Sequence, residues 1–262
     1  MLHTWEAAIL GFIQGLTEFL PVSSSGHLVL AQRMMGLHDA SIMTFDVMLH
    51  VGTLVALLAV FWSDLLGLLV RPFQRLTGML LMAMIPTAVF GFCFKGWVED
   101  VFQSGITLGM GFLATGCILW FAQRAPSRGK EVKSMSLLDA GVIGVMQGIA
   151  ILPAVSRSGS TIAGALFRGL ERTTAARFSF LLAIPTIAGA ALVKVHDAAK
   201  AHQLRLLASE PFLVGFVVAA VSGYFAVRYM LRIIARGSLD GFAWYCWGLG
   251  AVVIVLRATG NL

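Results

Sequence analysis

Gln14 to His27 reads Q-G-L-T-E-F-L-P-V-S-S-S-G-H, and Gln147 to Ser160 reads Q-G-I-A-I-L-P-A-V-S-R-S-G-S. Both runs set polar residues inside strongly apolar flanks, where such groups are costly to bury without a use. Gly11, Gln14, Gly15, Ser23, Ser25 and Gly26 return 133 residues later as Gly144, Gln147, Gly148, Ser156, Ser158 and Gly159. Leu20-Pro21 and Leu152-Pro153 are out of step by one, but Phe45 and Thr53 return in register as Phe178 and Thr186. Self-similarity at one fixed offset marks the chain as a duplication.

Working outward from the first run, Trp5 to Leu20 is apolar enough for a helix, but Pro21 and the serine-glycine cluster stop it. Leu28 to Met35 adds only about two turns. Crossing the hydrocarbon core takes about 20 apolar residues, so each half falls short, and the expectation is a re-entrant hairpin with its irregular tip buried in protein. Leu138 to Leu152, the P-A-V-S-R-S-G-S tip and Thr161 to Arg168 repeat the design. Six longer runs follow the hairpins: Phe45 to Trp62, Met79 to Phe94, Gly105 to Phe121, Phe178 to Val195, Pro211 to Tyr229 and Phe242 to Leu256. Each can cross a bilayer. The glycine pairs Gly11/Gly15, Gly144/Gly148 and Gly105/Gly109 read as close helix packing.

The whole composition agrees. Of 262 residues, 58% are hydrophobic and 12% charged, with a mean hydropathy of +0.85, which excludes a soluble domain. The fold class is therefore an all-α polytopic membrane protein with six transmembrane helices and two re-entrant hairpins. It forms one membrane domain: a first repeat of about residues 1–122, a cytoplasmic linker 123–136 and a second repeat of about 137–262. The first segment lacks the basic region of a secretory signal and is expected to be retained. Cys93, Cys117 and Cys246 have no metal-ligand spacing and read as lipid- or core-facing. The pI of about 9.7 reflects loop cations and headgroup contacts rather than nucleic-acid binding. With the N-terminus outside, twelve Lys and Arg fall in inside segments and six in outside segments. The positive-inside rule then puts both termini outside. A three-crossing unit forces its copy to enter inverted, and inverted repeats place a shared site where their broken elements meet.

Gln14 and Glu18, four apart, share a helical face directed at the first tip. An ionisable group in a membrane segment points to a cation, a metal or catalysis, while Gln14 is also explained by interhelical hydrogen bonding. Ser23, Ser24, Ser25, Gly26 and His27 crowd one helix start, as do Ser156, Arg157, Ser158, Gly159, Ser160 and Thr161 the other. Helix N-termini attract anions, and Arg157 adds a guanidinium, so the two starts together make a phosphate cradle. Glu18, a serine, His27 and Arg157 supply a nucleophile, a proton handler and a charge stabiliser. His3, His38, His196 and His202 read as solvated. Asp46 and His50 share a helical face and could line the mouth of the site, although their repeat mates are Ser179 and Ala183.

These two runs, with two hairpins and six spans, resemble the undecaprenyl-diphosphatase family, bacterial phosphatases also linked to bacitracin resistance, over essentially the whole chain. The resemblance implies hydrolysis of undecaprenyl diphosphate to undecaprenyl phosphate and inorganic phosphate, which recycles a lipid carrier for cell-wall synthesis. It implies a plasma-membrane location, a site open to the extracytoplasmic side and a divalent cation, Mg²⁺ or Ca²⁺, near Glu18. It implies catalytic roles for Glu18, Ser24, His27 and Arg157, with Gln14, Ser23, Ser25, Gly26, Ser156, Ser158, Gly159 and Thr161 binding substrate. Gln14 stands where many members have glutamate, and Ala154 stands where the tip pattern has glycine. Ser24, His27 and water all stay open as the attacking group. Three other classes fit the residues less well. The acid-phosphatase superfamily needs a histidine and an aspartate where Ala163 and Phe167 stand. Transport of a lipid phosphate suits inverted repeats but has no need of a histidine beside the serines, and a channel or plain structural role leaves the serine-rich tips unexplained. Partners are the polyprenyl substrate and membrane lipids, with a homodimer as one assembly to test.

Overall fold

The structure, a computed structural model, describes residues 2–37, 41–104, 107–200 and 204–260. His38, Gly105 and His202 lie outside these, as do the side chains of Lys95, Arg205 and Arg236. The described residues form eleven α-helices: α1 Thr4–Phe19, α2 Ser24–Met34, α3 Ser41–Val60, α4 Trp62–Val70, α5 Arg75–Ser104, α6 Leu108–Gln123, α7 Leu137–Ile149, α8 Arg157–Phe167, α9 Arg172–Lys200, α10 Glu210–Arg236 and α11 Asp240–Ala258. The chain is an all-α polytopic membrane protein.

The duplication extends to the elements. Adding 133 to the bounds of α2 gives those of α8, and the same shift carries α1 onto α7, α5 onto α10 and α6 onto α11 within about three residues, and α3 onto α9, which runs on further at its C-terminal end. Packing follows the same exchange: α1 lies along α10, α7 lies along α5, and α6 pairs with α11. The glycine pairs make these approaches close. A Cβ on Gly11 would sit 2.5 Å from the Gly215 carbonyl oxygen, and one on Gly148 would sit 2.7 Å from the Phe90 ring, while Gly144 abuts the Ala83 carbonyl.

Among the described residues, five helices (α3, α5, α9, α10 and α11) are long and apolar enough to cross a membrane. The sixth expected span, α6, has 16 residues and is about 24 Å long at 1.5 Å per residue, short of the roughly 30 Å hydrocarbon core. Its register is set by protein rather than by lipid: Gly111 abuts the Pro153 carbonyl at the second tip, and α6 packs on both α8 and α11. The Phe45–Trp62 span ends within two residues of its expected bound, α3 stopping at Val60; what the sequence reading did not include is the short helix α4 after it. The chain breaks at the buried Phe61, and α4 turns away with no buried residue, held by Asp64 to Arg177 at 2.6 Å. The second halves of both hairpins also begin earlier than expected, so that Ser24, Ser25, Gly26 and Arg157 are helical. The cause is capping: Ser23 Oγ accepts from the Gly26 N–H at 3.4 Å and Ser156 Oγ from the Gly159 N–H at 3.1 Å.

The linker is tied back to the loop before α9. The Arg128 and Lys130 N–H groups donate to the Gly169 carbonyl, and the Glu171 N–H donates to the Lys130 carbonyl. Beneath it Asp139, fully buried, accepts from Lys130 Nζ at 3.0 Å and Arg168 Nε at 2.7 Å. Burial pushes the Asp139 carboxyl up, but the Ser136 N–H, Arg168 and Lys130 hold it well below the usual carboxylate range.

Candidate active site

Pro21 and Pro153 end α1 and α7 by removing the donor the next turn needs, and the chain then turns into the capped starts of α2 and α8. Both turns hold a non-glycine residue at positive φ, Ser23 at 71° and Ala154 at 60°. Such a conformation costs roughly 1 kcal/mol or more for an L side chain. Ala154 therefore adopts the backbone a glycine would take freely. Its methyl also packs against Gly26 and Gly111 of the opposing elements, so the tip keeps its shape.

The tips touch. Ser158 Oγ donates to the Leu20 carbonyl at 3.2 Å, and Gly159 faces the Pro21 ring. The contact centres on Glu18, which is buried. Its Oε1 accepts from Arg157 Nη2 at 2.5 Å, and its Oε2 accepts from Ser24 Oγ at 2.5 Å and Gln14 Nε2 at 3.0 Å. His50 Nε2 stands 3.8 Å from the same Oε2. Two polar atoms here are buried without a partner, Arg157 Nη1 and Gln14 Oε1. Because α2 begins at Ser24 and α8 at Arg157, two helix N-termini converge on one carboxylate, each carrying a partial positive charge.

The twelve sequence-derived residues sort by position. Glu18, Ser24, Arg157 and Gln14 form one hydrogen-bonded cluster. Ser23 with Ser25, and Ser156 with Ser158, pair at 3.3 Å in each tip and build the two caps, with Gly26 and Gly159 as the glycines that let the tips close. Thr161 is engaged elsewhere: its hydroxyl lies 2.5 Å from Ser179 on α9 and donates to the Arg157 carbonyl of its own helix. His27 turns toward α11. Its Nδ1 is 2.7 Å from the Ser23 carbonyl, which can only accept, so Nδ1 carries a proton; the neutral ring's Nε2 then accepts from Tyr245 Oη at 2.7 Å.

Tyr245 stacks on the His27 ring at 5.7 Å and Phe112 meets it edge-on at 5.3 Å. Sequence reading passed over both, although their separation is again 133 residues and the repeat register could have found them. Thr115, which accepts from the Ser156 N–H at 3.0 Å and donates to the Ala154 carbonyl at 3.1 Å, was also unread, since a lone threonine in an apolar helix gives no signal.

This donor set does not fit a resident divalent cation. Glu18 is the one carboxylate in the cluster, and its oxygens face a guanidinium, a hydroxyl and an amide N–H. Hard cations need about six oxygen ligands, and among the described residues no group of three His, Cys, Asp or Glu side chains is placed to hold a metal.

Fold and site together define a polytopic membrane protein in which two broken helix pairs meet on a buried, arginine-paired carboxylate that receives a serine hydroxyl. The chain belongs to the family described as bacitracin resistance protein BacA, whose family model matches residues 7–252. It is 48% identical to an undecaprenyl-diphosphatase of Carboxydothermus hydrogenoformans, over 99% of this chain and 100% of that one. It is 42% identical to one of Halothermothrix orenii over 97% and 98%, and 36% identical to one of Methanosphaera stadtmanae over 98% and 99%.

Proposed function

We propose that this protein hydrolyses undecaprenyl diphosphate to undecaprenyl phosphate and inorganic phosphate in the plasma membrane, returning the lipid carrier to cell-wall synthesis. The observation that carries the reading is the double engagement of Glu18: one oxygen on Ser24 Oγ, the other on Arg157. Near full-length similarity to proteins named for this activity supports it, and the transport reading is not favoured by the same relatives.

In the resting arrangement Arg157 neutralises Glu18. A diphosphate carries more charge than one carboxylate and offers paired oxygens to the guanidinium fork, so substrate competes Arg157 away, and the unpartnered Nη1 gives it a first foothold. Freed of its counter-charge, Glu18 becomes a better base for the Ser24 hydroxyl it already holds. The Ser24 proton passes to Glu18 Oε2 as Oγ bonds to the terminal phosphorus, the bridging P–O bond breaks, and the lipid monophosphate leaves. Water then cleaves the phosphoserine. The helix starts at Ser24 and Arg157 stabilise the charge on the transferring group. His27, with both ring nitrogens engaged by Ser23 and Tyr245, orients the first tip rather than taking the Ser24 proton. A divalent cation at this site would find one protein carboxylate, Glu18, and would supply charge neutralisation for the diphosphate. The site opens to the extracytoplasmic side and both termini lie outside.

Purified protein is given undecaprenyl diphosphate labelled at the terminal phosphorus, quenched in acid and digested. Label on the Ser24 peptide, lost in Ser24→Ala, is the expected result. Label on His27, or none under conditions that capture a burst, would contradict the serine route.

A further inference from the structure

His50 is the one ionisable side chain on Glu18 that the route above leaves without a part. It sits on α3, outside both hairpins, and the backbone holds it there: its Nδ1 lies 2.7 Å from the Asp46 carbonyl one turn earlier. A carbonyl accepts only, so Nδ1 carries a proton and Nε2 is the nitrogen turned toward Glu18 Oε2, 3.8 Å away. The same oxygen receives the Ser24 hydroxyl. Asp46 is in turn fixed to the first hairpin by Gln32 Nε2 at 2.7 Å. The His50 side chain is about one-third exposed, against 6% for Glu18. It is therefore less enclosed than the carboxylate it faces.

We propose that His50 is a positioning residue that relieves Glu18 of the proton taken from Ser24. This rests on the assignment of Glu18 as base. After the first transfer, Glu18 Oε2–H gives its proton to neutral His50 Nε2. The imidazolium so formed keeps its Nδ1–H on the Asp46 carbonyl and gives the Nε2 proton to a water admitted with the substrate, and Glu18 is again an anion for the water step. The separation is an ion-pair distance, and contacts of this kind tighten or take in one water when substrate is bound. Among the described residues, the titratable groups placed against His50 are Glu18 of α1, with Arg157 of α8 on that carboxylate's other oxygen, and Asp46 of its own helix. The part of α10 laid against α3, from Phe212 to Gly223, carries no charge.

The test measures kcat and KM against pH for wild type, His50→Gln and His50→Ala. The expected result for His50→Gln is a kcat about 10- to 100-fold lower with KM within about twofold, at the low end of general acid–base effects. The pH profile of kcat changes shape, because a proton acceptor on the route is gone. Added imidazole restores part of the His50→Ala activity and none of the Glu18→Ala activity. A loss carried by KM alone, or pH profiles that superimpose, overturns the proposal. The coupling is also read without turnover: at fixed pH, the 15N resonance of His50 Nε2 shifts on Glu18→Gln and does not on the exposed-site change His196→Gln. Unmoved resonance refutes the pairing whatever the activity. A resonance that shifts on Glu18→Gln while well-folded wild type releases no phosphate refutes the phosphatase reading and leaves the pairing standing.

Discussion

Glu18 and Arg157 illustrate how one buried pair serves two states. Side chains this enclosed lose hydration that only a well-formed partner replaces, and removing one partner of a buried pair costs about 3–5 kcal/mol. Glu18→Ala is therefore expected to lower thermal stability as well as activity, whereas Glu18→Gln keeps the shape but replaces the charge and one acceptor oxygen by an amide donor. For Glu18→Gln the phosphate-release rate falls by about 10²–10⁴-fold, the range of a lost general base, with a smaller loss in melting temperature than for Glu18→Ala. Arg157→Lys keeps a cation but not the fork, and is expected to raise KM for the diphosphate and cut kcat together. The residues of this cluster were legible because polar groups at fixed spacing in an apolar chain stand out. What could not be read was who partners whom: the sequence put His27 beside the serines, and the structure gives Ser24 to Glu18 and His27 to Tyr245.

The elements that hold the cluster are short helices whose starts are capped and whose neighbours press closely. Gly26 shows how tight this is: a Cβ there would sit 2.5 Å from the Phe112 ring and 2.9 Å from the Ala154 methyl, whereas one on Gly159 would meet only Ser156 at 3.1 Å and Pro21 at 3.3 Å. Gly26→Ala is expected to abolish phosphate release through displacement of α2, and Gly159→Ala to retain a measurable fraction; equal effects of the two would mean the α2 seat is not what fixes Ser24. Helix existence was readable from apolar runs interrupted by proline and glycine. The helix starts were missed by four residues in each tip because Ser23 and Ser156 act as caps, which moves the following serines and Arg157 into the first turn. The end of α3 before Phe61 was readable to within two residues, whereas α4 was not read as a helix of its own because its apolar residues run on directly from the span.

Across the whole molecule, the exchange of partners between repeats makes each hairpin depend on the other half of the chain: α1 on α10 and α7 on α5. The linker is the covalent cost of this arrangement, and Asp139 pins it beneath α8 and the loop after it. Because its carboxyl is held below the ordinary value, the stability it contributes is present above about pH 4, the unfolded carboxylate range, and is lost as pH falls through the lowered native value. Asp139→Asn is expected to destabilise the protein by about 2–3 kcal/mol near pH 7, less than a fully enclosed pair because Lys130 and Arg168 are partly exposed. Melting curves in detergent should show the gap to wild type closing in acid; a gap independent of pH would place the role in packing. Reporter fusions at the two ends test the orientation, with outside signals expected from both. The duplication made this architecture legible at a distance, as one offset of 133 aligns the motifs, the helices and even Phe112 with Tyr245. Five spans read as spans for the same reason that they are spans, length and apolarity. The sixth, α6, is set by protein contacts that composition does not encode.

The most direct test of the meeting of the two tips is phosphate release from undecaprenyl diphosphate by purified protein in detergent, with and without EDTA, beside Glu18→Ala and Arg157→Ala. The account predicts release by wild type that EDTA suppresses, and loss of release in both variants while each keeps its helical content. Release that persists in folded Arg157→Ala and Glu18→Ala would put the chemistry somewhere other than the junction of the tips.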